Sequence, residues 1–140
     1  HCISSAASDV YKRQGLQGEE AGSLAARVQS YLSPQHRDSP GEGCPAAALA
    51  VDVARAGGDL SAVFAEGVER NIGRFARVIG TLGDDQAPDA TQRAQAMAML
   101  SSMVGALVLA RATVAANPAL SDEILKTVQA HLLAPESQAR

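Results

Sequence analysis

The stretch LSAVFAEGVERNIGRFARVIGTL (residues 60–82) decides the fold class. Its apolar residues Leu60, Phe64, Val68, Ile72, Phe75, Ile79 and Leu82 recur at spacings of three and four, which places them on one face of an α-helix and on no strand. Glu66 and Arg70 form an i, i+4 pair on the other side, and Arg74 and Arg77 extend that polar face. A helix over 60–82 is therefore expected, capped by Asp59 or Ser61.

Toward the N-terminus, Gly57-Gly58 closes a helix expected over 45–56, where Ala47, Ala48, Val51 and Ala54 are small enough to admit a neighbouring helix closely. Ahead of it, SPQHRDSPGEG (residues 33–43) carries two prolines and two glycines and is expected to be a polar loop. Pro45 then starts the next helix at its first turn, where a missing N–H is harmless. A short amphipathic helix over 19–32 precedes the loop, with Leu24, Val28, Tyr31 and Leu32 on one side.

Toward the C-terminus, GDDQAP (residues 83–88) breaks the chain, and Asp89 or Thr91 can cap a long helix reaching about residue 116. Seventeen residues between Arg93 and Arg111 carry no charge. That is the low edge of a bilayer span, and Gln95, Ser101 and Ser102 dilute it, so the segment reads as a helix buried on several sides. Angular position separates two faces: Met97, Leu100, Ser101, Val104 and Val108 on one, Met99, Ser102, Met103, Ala106 and Ala110 on the other. Asn117-Pro118 is expected to stop this helix and Ser121 to cap the last, with Asp122 and Glu123 at its N-terminus and Ile124, Leu125, Val128, Leu132 and Leu133 along its apolar side. The fold expected is an all-α bundle of about five helices, ending in an antiparallel hairpin more apolar than its own packing requires.

Composition narrows the function. Hydrophobic residues make up 46% of the 140 and aromatics only 3%, so the core must be aliphatic and the helices close. A net charge of −3 lacks the basic face that autonomous nucleic-acid binding requires. Cys2 and Cys44 make neither a disulfide framework nor a metal cluster, no cofactor or metal site is indicated, and a cytoplasmic setting is expected. Cys44 reads as a small buried residue closing the loop on the core.

The opening residues 1–14 differ in character from the rest of the chain. After Gly15 there are 26 alanines and one lysine, whereas the opening holds the other lysine and no initiator Met, and SSAASDVYKRQ (residues 4–14) resembles translated sequencing adapter. Residues 1–14 are therefore expected to be a non-native leader, 15–134 the domain of a fragment whose coding sequence began upstream, and 135–140 a polar tail.

Catalytic patterns are weak. His36-Arg37-Asp38 has the letters of a kinase catalytic loop with none of its companions, and Arg37 reads as a solvated partner of Asp38 or another acid. Asp84-Asp85 lies in a turn, and His131 stands alone. No nucleophile, base and oxyanion site assemble, so an enzyme is not expected. Tyr31, Phe64 and Phe75 are the aromatic walls that a pocket could use. A ligand-free helical scaffold, or a small helical enzyme, are the alternatives.

Residues 31–50 (YLSPQHRDSPGEGCPAAALA), Val53-Ala54-Arg55, residues 103–112 (MVGALVLARA) and residues 120–125 (LSDEIL) together resemble the regulatory domain of TetR-type transcriptional regulators. The resemblance implies an effector-sensing, homodimeric domain of a bacterial repressor. A small, largely apolar effector would be enclosed by Tyr31, Phe64, Val68, Phe75, Met97, Leu100, Ser101 and Val104. The last two helices would pair with those of a second copy in a four-helix bundle, through Met99, Met103, Ala106, Ala110, Leu125, Val128 and Leu132. Operator DNA would be contacted only through a helix-turn-helix head, which no basic helix pair before Gly15 supplies, and no membrane contact is implied.

Overall fold

A computed structural model describes residues 23–135, and within them the chain is all-helical without strands. The expected leader and most of the polar tail lie outside the described residues. Six helices follow in order: α1 (Leu24–Tyr31), α2 (Pro34–Asp38), α3 (Pro45–Ala56), α4 (Gly58–Gly80), α5 (Ala90–Thr113) and α6 (Pro118–Leu132). The additional one is α2, inside the segment expected to be a loop. Ser33 caps it by accepting from the His36 N–H at 3.1 Å, and Pro34 supplies the first-turn φ, so the proline begins a helical turn where it was expected to prevent one.

Proline also shifts α6. Pro118 opens that helix, and Asn117 caps it by accepting from the Leu120 N–H at 3.0 Å. Ser121, expected as the cap, is instead fully buried within the first turns. At α5 the cap is Asp89, in a reciprocal box with Gln92: Asp89 Oδ1 accepts from the Gln92 N–H at 2.8 Å and the Asp89 N–H donates to Gln92 Oε1 at 2.9 Å. Gly57, at φ 62°, takes the left-handed turn between α3 and α4, so α4 starts at Gly58 with no side-chain cap from Asp59 or Ser61.

The 60–82 stripe ends two residues early. Thr81 sits at φ 49°, its N–H bonded to Val78 O at 3.2 Å, while the Leu82 N–H reaches Arg77 O at 3.0 Å. This is the Schellman closure, made by a β-branched residue in a conformation that glycine adopts without strain.

Helix α5 organises the core. Its Ala96 and Leu100 pack with Ile72 and Ala76 of α4, while Met103, Ala106 and Ala110 pack with Val28 and Leu32 of the α1 region and Leu125 of α6. Phe75 touches both clusters. The buried positions 96, 100, 103, 107 and 110 follow one seam at spacings of four and three, which cuts across the two faces expected from sequence. Leu100 comes from one of those faces and Met103, Ala106 and Ala110 from the other, while Met97, Ser101, Ser102 and Val108 are exposed. By length and composition α5 could cross a membrane, yet its seam is buried against protein.

Outside the core, a bidentate pair holds α5 to α4: Arg93 donates to both Glu69 oxygens at 2.6 and 2.8 Å. This hydrogen bonding lowers the Glu69 pKa and raises that of Arg93. The expected Glu66–Arg70 pair is present at 3.9 Å, exposed at both ends.

Two stability outcomes follow from this packing. Leu107→Ala, at a fully buried site, should cost about 2–5 kcal/mol in urea denaturation. Thr81→Gly should stabilise by roughly 1 kcal/mol in the same assay, because it relieves the left-handed conformation and leaves the closing hydrogen bonds in place.

Candidate functional site

Residues 33–44 have two faces, and the site is built from both. One face is locked to the corner between α5 and α6. Arg37, only 9% exposed, is the centre of that lock and not the solvated residue expected. Its Nε and Nη2 donate to Asp38 Oδ1 and Oδ2 at 2.7 and 3.1 Å, and its Nη1 donates to Asp122 Oδ1 at 2.7 Å and to Ser121 Oγ at 3.0 Å. Ser121 in turn donates to Ala110 O at 2.8 Å. Burial therefore leaves the guanidinium well satisfied.

Arg111 runs the other way. From α5 it donates to Arg37 O at 3.1 Å and to His36 O at 2.8 Å, the terminal carbonyls that a five-residue helix cannot pair internally. The charge also complements the carbonyl end of α2.

The hydrogen bonds to Asp38 and then Asp122 raise the Arg37 pKa further above its ordinary value. The Arg37 bond correspondingly lowers the pKa of Asp38.

His36 closes the segment on itself. The Cys44 N–H donates to Nε2 at 3.0 Å, which assigns the proton to Nδ1, and Nδ1 donates to Tyr31 O at 2.7 Å. The Tyr31 and His36 rings meet edge to face at 4.7 Å. Gly43 lies under this closure: a Cβ there would stand 2.6 Å from His36 Nε2 and 2.8 Å from Arg111 Nη2. Cys44 is a buried free thiol at the start of α3.

The second face of the segment walls a cleft of about 660 Å³. Ser33, Gln35, His36, Ser39, Glu42, Gly43 and Cys44 form this wall, α1 adds Arg27 and Ser30, and α4 adds Asn71 and Arg74. Tyr31 and Phe75 provide its apolar surface, with Leu100 and Met103 buried at its base. Among the described residues no group of three His, Cys, Asp or Glu converges in a metal-ligand arrangement.

Of the residues expected to enclose an effector, Tyr31, Phe75 and Leu100 meet in this cleft. Val68 and Val104 pack instead on the α4–α5 cluster, Met97 and Ser101 face outward, and Phe64 lies half-buried away from the cleft. Of those expected at a dimer interface, Met103, Ala106, Ala110 and Leu125 are buried in the chain's own core. Met99, Val128 and Leu132 pack against the same cluster: the phase of the α5 seam turns Met103, Ala106 and Ala110 inward, and the apolar side of α6 packs on them. The surface left on the α5–α6 pair includes Met97, Ala98, Ser101, Ser102, Gly105, Val108, Leu109 and Ala112 of α5, with Leu109 56% exposed, and on α6 Leu120 beside Glu123, Lys126, Thr127, Ala130 and His131. The polar wall, with Arg27, Arg74 and Asn71, is not signalled by the sequence, in which Arg74 only extends the polar face of the 60–82 helix.

Compared with family models, curated proteins and solved structures, the chain matches none.

The lock has measurable consequences. Arg37→Met should cost about 2–3 kcal/mol, because Ser121 loses a buried partner and two carboxylates lose their cation. Gly43→Ala should also destabilise, by about 1–3 kcal/mol, through loss of the His36 closure. Because folding depresses the Asp38 pKa, its contribution is complete above the ordinary aspartate value of 3.8 and disappears as pH falls through the lower folded value. Wild-type stability should accordingly drop across that acid range in pH-dependent urea melts, and Asp38→Asn should drop less steeply.

Proposed function

We propose that this chain is the effector-sensing and dimerising domain of a transcriptional regulator of the TetR type, a cytoplasmic repressor in its intact form and not an enzyme. One observation carries the reading: the 33–44 segment is at once a wall of the cleft and the element that clamps the α5–α6 corner. A molecule that enters the cleft touches His36 and Gly43, whose neighbours Arg37 and Arg111 hold the two last helices in position. Occupancy and helix geometry are thus linked through one short stretch of backbone, as a sensor requires.

The effector is a small molecule with an apolar body, and the polar wall adds a demand for polar groups on it. The partner is a second copy of the chain. Its antiparallel hairpin docks on α5 and α6, and the contact runs over the small and aliphatic residues Ser101, Gly105, Val108, Leu109 and Leu120, which leave room for a close helix approach. Operator contact is assigned to a helix-turn-helix head and not to these helices.

Sedimentation velocity tests the dimer. Wild type should sediment at twice the 14.4 kDa chain mass, and Leu109→Arg should sediment as a monomer with its helical circular dichroism retained. A wild-type monomer, or a variant that stays dimeric, would contradict this interface.

A further inference from the structure

The His36 ring joins two stretches of chain in one protonation state only. Tyr31 O can only accept, so Nδ1 at 2.7 Å carries a proton; the Cys44 N–H can only donate, so Nε2 at 3.0 Å must be bare. A neutral imidazole meets both demands and an imidazolium meets one, because a proton on Nε2 would set two N–H groups against each other. No water fits between atoms 3.0 Å apart, and Gly43 lies against the same ring edge, where a Cβ would stand 2.6 Å from Nε2. Protonation is thus selective: Tyr31 keeps its bond to the ring, and Cys44, the residue before α3, loses its own.

The charged and titratable groups around the ring come from α1, α4, α5 and the segment itself. Arg111 of α5 donates to His36 O, and its Nη2 would lie 2.8 Å from a Gly43 Cβ, so a cation stands beside the ring. Arg27 and Tyr31 of α1, Arg74 of α4, and Glu42 and Cys44 of the segment line the same cleft. Arg27 and Arg74 have interactions of their own, Glu42 is exposed, and Arg37 pairs with Asp38 and Asp122 at the corner. Both ring nitrogens go to backbone groups, so no carboxylate among the described residues is bonded to the ring to hold an imidazolium in place.

We infer that His36 is an acid-sensitive latch: taking up a proton releases the Gly43-Cys44 turn from the ring and opens the cleft wall, independently of any sensing role for the cleft. An imidazole freed of Cys44 takes up a proton near the ordinary histidine value of about 6.5. The open population should therefore change little above that value and grow about tenfold for each pH unit below it. Asp38 acts below 3.8, in a separate range.

Imidazole NMR and amide exchange on the full chain test this. At pH 7.5 the ring nitrogen shifts of His36 should report a proton on Nδ1. Between about pH 7.5 and 5.5 the protection of the Cys44 amide, corrected for the intrinsic pH dependence of exchange, should fall about tenfold, while that of Ile72 in α4 stays constant. His36→Gln offers an amide oxygen that can accept from Cys44 and takes up no proton in this range, so its Cys44 protection should be flat. His131→Gln should behave as wild type. A proton on Nε2 at pH 7.5, or Cys44 protection that holds to pH 5.5, would overturn the latch, as would a fall that persists in His36→Gln or vanishes in His131→Gln. The tautomer, the wild-type fall and the His131→Gln control decide the matter even where His36→Gln does not fold.

Discussion

Two arginines cross between the 33–44 segment and the α5–α6 corner, one pairing with side chains at the start of α6 and the other with the carbonyls that end α2. Arg37 leaves α2 to reach Ser121 and Asp122, while Arg111 leaves α5 to cap the carbonyls of His36 and Arg37. Without Arg111, the end of α2 would lack partners for two carbonyls; without Arg37, Ser121 would keep only Ala110 O. A helix of five residues has little stability of its own, so its position depends on these tertiary bonds. Cleft wall, His36 closure and the approach of Gly43 to Arg111 all depend on where that short helix is held.

The core imposes a complementary constraint. With almost no aromatic residues, packing relies on alanine and unbranched or aliphatic side chains, and α5 places Ala96, Ala106 and Ala110 where its neighbours come closest. Small residues on the buried seam let α1, α4 and α6 surround one helix. The outer side of α5 is nearly as apolar, with Val108 and Leu109 in solvent. That exposed apolar surface is what the proposed contact with a second copy would cover.

Much of the fold is legible from residue spacing. The 60–82 stripe marks α4 because its polar and apolar faces contrast sharply, and Asp89 with Gln92 three residues on marks the start of α5. The phase of α5 is not legible, since alanine, serine, methionine and leucine occur all round it and no face stands out by hydrophobicity. Pro34 and Pro118 look like helix stops in the sequence yet act as helix starts, because a proline's side of the boundary depends on the cap before it: Ser33 in one case, Asn117 in the other. For the site, Tyr31, Phe75 and Leu100 are recognisable as apolar walls. Arg37's burial is not, since its partners Ser121 and Asp122 lie more than eighty residues away in sequence.

Native-state amide hydrogen exchange on wild type and Arg37→Met tests most directly whether the cleft wall and the helix corner form one unit. The amides to follow are the Arg37 N–H, bonded to Ser33 O, with the Asn117 and Ser121 N–H groups at the corner, bonded to Thr113 O and Asn117 O. In the variant both sets should lose protection together, while amides in the middle of α4 near Ile72 keep theirs. Loss confined to the 33–44 segment, with the corner as protected as in wild type, would contradict the coupling on which the proposed sensing role depends.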